Sequence, residues 1–118
     1  MNRYRVPIVA AVVVVFLAIG AFLIFANQTK GGAKVTINVT VSKGASMSPG
    51  TWTAHHNDIV TVNITSDMDG AVHLHGYDIL FETKAGQVVT KTFTADKTGD
   101  FPIEWESTST PLGHLVVS

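Results

Sequence analysis

Two histidines separated by one residue are the feature of this chain with the clearest chemistry. His73 and His75 lie in the segment 72–78, Val-His-Leu-His-Gly-Tyr-Asp. On an extended strand, residues i and i+2 project from the same side, so the two imidazoles would face one region. Imidazole is the commonest metal ligand among protein side chains and suits both zinc and copper. The spacing therefore predicts a metal site.

A stable site needs a third ligand, and the sequence suggests several. Glu106 and Glu104 alternate with Ile103 and Trp105. Successive side chains of a strand point to opposite faces, and this alternation (strand parity) directs both carboxylates outward, onto a face that is usually solvated. Glu106 stands at the strand end, where parity often fails, and is therefore the stronger of the two candidates.

His114 is the other candidate among the histidines and carboxylates. It follows Gly113 at the start of the last strand, and its parity opposes that of Leu115 and Val117, which places it at the surface. It would still reach the end of the domain where the metal is expected. The predicted metal ligands are His73, His75, Glu106 and His114.

The remaining potential ligands have simpler interpretations. His55 and His56 are adjacent, so they face opposite ways on extended chain, and they precede a turn, which predicts solvent exposure. Met47 and Met68 lie in loops, where packing is the default role of methionine. Met68 is a few residues before His73 and is the soft alternative as third ligand, suited to Cu(I).

Composition excludes several function classes. The chain of 118 residues contains no cysteine, so neither a disulfide nor a thiolate ligand or nucleophile can form. The sequence also shows no catalytic motif, which predicts a binding protein and not an enzyme. A net charge of −1 with 14% charged residues argues against nucleic-acid binding, which normally needs a basic patch.

The N-terminal quarter predicts a membrane anchor. Residues 6–26 are continuously apolar, and about 20 such residues suffice to cross a bilayer as a helix. Arg3 and Arg5 precede this segment, so the positive-inside rule places residues 1–5 in the cytoplasm and the rest of the chain outside it, at the cell membrane. A cleaved signal peptide is the alternative, although its apolar region is usually only about 7–15 residues long. Residues 27–33 are polar and glycine-bearing, as expected of a linker.

Residues 34–118 show the period of β-structure. Val35, Ile37, Val39 and Val41 alternate with polar residues, and similar alternation recurs between turn-forming segments to the end of the chain. The pattern predicts about seven short strands, with the His-x-His pair on a single strand over 72–81, in an all-β, antiparallel β-sandwich.

The strand order and the residues at the strand ends resemble those of the cupredoxins, over residues 33–118. Three segments carry the resemblance. Asn-Asp-Ile-Val-Thr-Val at 57–62 is similar to the family's Gly-Asp-x-Val-x-Val, and His-Leu-His-Gly-Tyr-Asp at 73–78 stands where the family has its first histidine ligand. Gly-Asp-Phe-Pro-Ile-Glu-Trp at 99–105, followed by Gly-His-Leu-Val-Val at 113–117, is similar to the family's last two strands.

The resemblance implies a Greek-key sandwich and also indicates what the chain has lost. Trp105 stands where the family has its copper-binding cysteine, and the loop 106–112 contains neither the second histidine nor the methionine. A type 1 copper centre and a binuclear two-cysteine centre are therefore excluded. The chain also resembles exported, often membrane-anchored domains of this fold that carry His-x-His-Gly-Tyr-Asp and an acidic strand in place of the cysteine.

Two functions remain open at this point. The first is an extracytoplasmic metal-binding domain, with copper favoured over zinc, for storage, delivery or sensing and not for type 1 electron transfer. The second is a metal-free structural or interaction module for a membrane or periplasmic protein, in which Trp105 fills the space of the lost ligand. Tyr77 and Asp78 are interpreted as structural.

Overall fold

A computed structural model describes residues 32–118. Nine strands form in this part of the chain, and in chain order they are β1 (Lys34–Ser42), β2 (Ser46–Ser48), β3 (Thr51–Ala54), β4 (Ile59–Ser66), β5 (Gly70–Leu74), β6 (Ile79–Thr83), β7 (Val88–Thr94), β8 (Gly99–Trp105) and β9 (Thr110–Val117). Within these residues no helix is long and apolar enough to cross a bilayer. The cytoplasmic segment, the membrane helix and most of the linker predicted above lie outside the described residues.

The strands form two sheets packed as a sandwich. One sheet has the order β2-β1-β4-β7 and the other the order β3-β9-β8-β5-β6. The all-β sandwich is as predicted, but its pairing is not purely antiparallel, because β1 pairs with β4 and β3 with β9 in parallel. The chain visits β2 and β3 between β1 and β4, so it re-enters the first sheet from the same end.

Alternating side chains fill the space between the sheets. Val60, Val62 and Ile64 of β4 are fully buried, as their period of two predicts. Trp52 and Phe81 pack edge to face in the same core, with ring centroids 6.1 Å apart. The five-stranded sheet therefore has one face buried against the other sheet and one face open to solvent. The solvent-facing side carries the predicted ligands.

The prediction of one continuous strand over 72–81 is wrong. A turn separates β5 from β6, and within it Gly76 and Asp78 adopt positive φ angles of 82° and 58°. Glycine reaches this left-handed region freely and aspartate tolerates it, whereas an uninterrupted strand does not use it. His73 consequently lies on β5, while His75 lies just beyond its end.

Candidate metal site

The imidazole of His73 lies on the solvent-facing side of the five-stranded sheet. Its neighbours Val72 and Leu74 are fully buried, so strand alternation directs His73 the other way. His73 is opposite Glu104 on β8 and opposite Leu80 on β6. Directly opposed residues on one face of an antiparallel pair lie close enough for their side chains to interact. The register thus brings a histidine and a carboxylate together from strands distant in sequence.

His75 returns to the same region although it lies in a turn. Its backbone N–H donates to the carbonyl of Pro102 at 3.0 Å, which continues the pairing of β5 with β8 beyond the end of the strand. The ring centroids of His73 and His75 are 4.3 Å apart. Nε2 of His75 lies 3.0 Å from Oε2 of Glu104.

Besides Glu104, the carboxylates of Glu106 and Asp78 face His73. Nδ1 of His73 lies 3.3 Å from Oε1 of Glu106 and 3.9 Å from Oε2 of Glu104. Its other ring nitrogen, Nε2, lies 3.3 Å from Oδ1 of Asp78. The imidazole of His73 is therefore placed between carboxylates from β8 and a carboxylate from the β5–β6 turn.

His73, His75 and Glu104 form a compact donor set. One ligand atom from each lies within 4.8 Å of the others, and all three side chains are partly buried. Zinc–nitrogen bonds of about 2.0–2.1 Å hold two donors of one zinc ion at most about 4.2 Å apart, so small side-chain rotations would close the set on one cation. Two imidazoles and a carboxylate fit a borderline divalent cation such as Cu²⁺ or Zn²⁺.

The structure brings together only part of the predicted ligand set. Glu106 joins the cluster through His73, whereas Glu104, which parity had assigned to a solvated face, lies at its centre. His114 lies opposite Pro102, and its Nδ1 is 2.6 Å from Oδ1 of Asp100, so its imidazole has a different carboxylate partner. No described contact joins His114 to the three-residue donor set.

The other candidates lie elsewhere in the fold. The side chain of His55 is 75% exposed in the turn before β4, where the buried carboxylate of Asp58 accepts hydrogen bonds from the backbone N–H groups of His55 and Ala33. Met68 is exposed in the turn between β4 and β5, and Met47 packs against the core. His55 and Met47 agree with the interpretations of exposed histidine and packing methionine, whereas the packing role expected of Met68 is wrong.

Trp105 points away from the histidines. It lies opposite Val72 on β5, whereas His73 lies opposite Glu104, so the indole and the imidazole occupy opposite faces of one sheet. The indole is 3% exposed, and a Cβ added at Gly70 or at Gly44 would lie 2.1 Å or 2.8 Å from it. Trp105 therefore fills the inner space against two glycines. A thiolate at this position would not face the side of the sheet that carries His73.

An aromatic cluster anchors the turn that carries His75. The Tyr77 ring packs on Phe93 and Phe101 with centroid distances of 5.2 and 5.0 Å. Its hydroxyl donates to the carbonyl of Lys97 at 2.6 Å and accepts from the Lys97 backbone N–H at 3.0 Å. A Cβ at Gly76 would lie 2.3 Å from the Phe101 ring, so only glycine allows this close approach. The turn is thereby fixed to the β7–β8 connection.

Replacing Tyr77 by phenylalanine tests this anchor. The change removes two hydrogen bonds and keeps the ring, so we expect a loss of about 1–3 kcal/mol in the free energy of unfolding.

Burial raises the pKa of the Tyr77 phenol above 10.0, although its hydrogen bond with the Lys97 backbone opposes the rise and the charge of Asp96 adds to it. Stability from this raised pKa is complete below pH 10 and is lost as the pH rises through the folded-state value. Denaturant unfolding from pH 8 to 11 should show a decline above pH 10 that is smaller in Tyr77→Phe. An equal decline in both proteins would contradict this.

Comparison with known proteins agrees with this architecture. Neither a family model nor a characterised protein matches the chain by sequence. Among solved structures, auracyanin A, a blue copper protein from the green thermophilic photosynthetic bacterium Chloroflexus aurantiacus, matches with a TM-score of 0.57 and 15% identity, over 73% of this chain and all of that one. A copper binding protein solved in the apo form matches with a TM-score of 0.61 and 13% identity, over 73% of this chain and 89% of its own. The domain has the cupredoxin fold.

A longer match extends the likeness. A chain in the structure of a heme-copper terminal oxidase dimer matches with a TM-score of 0.65 and 12% identity, over 92% of this chain and 95% of that one. At such identities the likeness establishes the fold and no more. This cupredoxin-like domain lacks the cysteine ligand, and its histidine–carboxylate cluster lies on the outer face of a sheet.

Proposed function

We propose that the chain is a membrane-anchored, extracytoplasmic cupredoxin-like protein that binds a divalent metal ion for storage, delivery or sensing. The observation that carries the proposal is the convergence of His73, His75 and Glu104 within 4.8 Å. Residues 6–26 would supply the anchor, with the domain outside the cytoplasm. The proposed role is binding and not catalysis.

Copper in its divalent state is the favoured metal. The donors are imidazole nitrogens and carboxylate oxygens, which suit Cu²⁺ and Zn²⁺, and Cu²⁺ binds most tightly in the usual order of divalent metals. A site of this kind has no thiolate, so the copper would be pale and of type 2. Glu106 would supply a fourth donor, because its carboxylate already faces Nδ1 of His73. Two of the solved structures that match this fold are copper proteins, which supports copper over zinc.

Titration of the purified full-length protein tests the proposal. We expect one equivalent of Cu²⁺ or Zn²⁺ to bind by calorimetry, and the Cu²⁺ form to give a type 2 spectrum by electron paramagnetic resonance. Selective binding to the folded state must raise stability, by about 2.7 kcal/mol at a free metal concentration of 100 times Kd. Fe²⁺ belongs in the same titration, because two histidines and one carboxylate also suit non-heme iron. A melting temperature unchanged by all three metals would overturn the proposal.

A metal-free interaction module is the second candidate. It is supported by the Trp105 side chain, which fills the inner space opposite Val72, and by the likeness in length to a chain of the heme-copper oxidase assembly. In this case the outer face of the five-stranded sheet would contact a membrane or periplasmic protein. The same titration separates the two, because this candidate predicts no stoichiometric stabilisation by metal.

A further inference from the structure

We infer that Asp78 is a positioning residue that fixes the tautomer of His73, so that Nδ1 of His73 is the atom presented to the metal. The inference rests on the proposed function. Asp78 belongs to neither the predicted ligands nor the three-residue donor set, and its carboxylate meets the opposite side of the His73 ring from Glu106.

Nδ1 is the ring nitrogen of His73 that can face the ion. Oε2 of Glu104 lies 3.0 Å from Nε2 of His75 and 3.9 Å from Nδ1 of His73. The atoms that converge are therefore Nδ1 of His73, Nε2 of His75 and the carboxylate of Glu104. A neutral imidazole has one bare nitrogen, which ligates, and one N–H, which does not.

The other ring nitrogen of His73 faces Asp78. Nε2 of His73 lies 3.3 Å from Oδ1 of Asp78 with hydrogen-bond geometry. Oε1 of Glu106 is equally far from Nδ1, but this contact is an ion-pair distance and not a described hydrogen bond. A carboxylate accepts but cannot donate when ionised, so it favours the tautomer with hydrogen on Nε2 and leaves Nδ1 bare. Metal-binding histidines commonly donate their second N–H to a carboxylate, which fixes both the tautomer and the ring orientation.

The backbone conformation of Asp78 favours glycine. Its φ angle of 58° lies in the left-handed region, where glycine is less costly than any other residue. The side chain is 96% exposed, so it gains little from burial. Replacement by glycine should therefore relieve backbone strain and remove only the carboxylate. Stability and metal affinity are then expected to change in opposite directions.

Nitrogen spectra of histidine in the metal-free full-length protein test the tautomer. Where the spectrum reports a neutral ring, His73 in the wild type should be mainly the form with hydrogen on Nε2. Asp78→Gly should shift it toward a mixture, while Asp78→Asn, whose amide oxygen still accepts, should retain the wild-type form. A wild-type ring with hydrogen mainly on Nδ1, or no change in Asp78→Gly, would overturn the inference.

Zinc titration provides the second measurement. Loss of a carboxylate that orients a ligand typically costs 10–100-fold in metal affinity, and the exposure of Asp78 places the expected loss near tenfold. Asp78→Gly should show this loss with a melting temperature equal to or above that of the wild type. Asp100→Asn is the matched control, because it alters a second carboxylate–histidine pair outside the donor set and should leave the affinity unchanged.

The two proposals fail in different ways. If the wild type binds no zinc or copper, the proposed function fails, while the spectra still decide whether Asp78 controls the ring of His73. If the wild type binds zinc and Asp78→Gly binds it equally well, the metal site stands and the role of Asp78 is rejected.

Discussion

Replacing His73 and His75 together by alanine should abolish stoichiometric binding of Cu²⁺ and Zn²⁺. Two of the three converging donors are removed, and the remaining carboxylates lie on a partly solvated sheet surface. Loss of an orienting partner alone costs 10–100-fold, so loss of two direct ligands should lower the affinity by more than about 100-fold. Calorimetry would show no saturable heat, and the type 2 copper spectrum would be lost.

The replacement of His55 and His56 by alanine is the matched control. It removes the same number of imidazoles from a turn where His55 is 75% exposed and contacts Asp58. This variant should bind one equivalent of metal with wild-type affinity. If the His73→Ala/His75→Ala protein kept its affinity, or if both double variants lost it equally, the cluster would not be the binding site.

The same titration distinguishes the two carboxylates. Glu104→Gln should weaken binding more than Glu106→Gln, because Glu104 contacts both imidazoles and its side chain is 22% exposed, against 48% for Glu106. Glu82→Gln, an equal change of charge at an exposed position on β6, should have little effect. This order reverses the preference that the strand-end position gave to Glu106.

The sandwich itself follows from a pattern visible in the sequence. Burial of one face repeats every two residues, so the alternation of valine and isoleucine with polar residues in β4 predicts which side chains enter the core. The same parity correctly directs Glu104 outward. Local periodicity is sufficient for these points because each depends only on the pleat of one strand.

The arrangement of the candidate site depends on properties that periodicity does not contain. The proximity of His73 and Glu104 follows from the pairing register of β5 with β8, which is set by the packing of the whole sheet. The turn at Gly76 and Asp78 divides a segment whose composition favours a strand. A bulge in the pairing of β8 with β9 at Ile103/Glu104 sets His114 opposite Pro102, and its imidazole contacts Asp100. Gly76 and Asp78, which are separated only by Tyr77, are residue types that favour turns and could have indicated this one.

Removal of the Trp105 side chain should strongly destabilise the domain. The indole is 3% exposed and packs where Gly70 and Gly44 leave room for it. Replacement of a large buried aromatic residue by alanine costs about 3–5 kcal/mol, because the cavity relaxes only partly. Denaturant unfolding of Trp105→Ala should show this loss at an unchanged m-value. A loss below about 1 kcal/mol would contradict the packing role.

The packing of Trp105 against Gly70 has a sharper consequence. A Cβ at Gly70 would lie 2.1 Å from the indole, so Gly70→Ala should be strongly destabilising in the wild type but tolerated when Trp105 is alanine. Residues in contact show such coupling in double-mutant cycles, whereas independent sites give additive losses. Additive losses here would mean that the indole does not occupy this space.

The position of Trp105 also predicts what its replacement by cysteine will not do. The side chain at 105 lies opposite Val72 on the inner face, and the imidazole of His73 lies on the outer face with Glu104. A thiolate restored at this position and the His73 imidazole cannot converge on one ion while the strand alternation holds. Trp105→Cys with Cu²⁺ should therefore lack the intense blue absorption of a type 1 centre but retain type 2 binding at the outer cluster. A blue protein that also required His73 would show that the two side chains share a face.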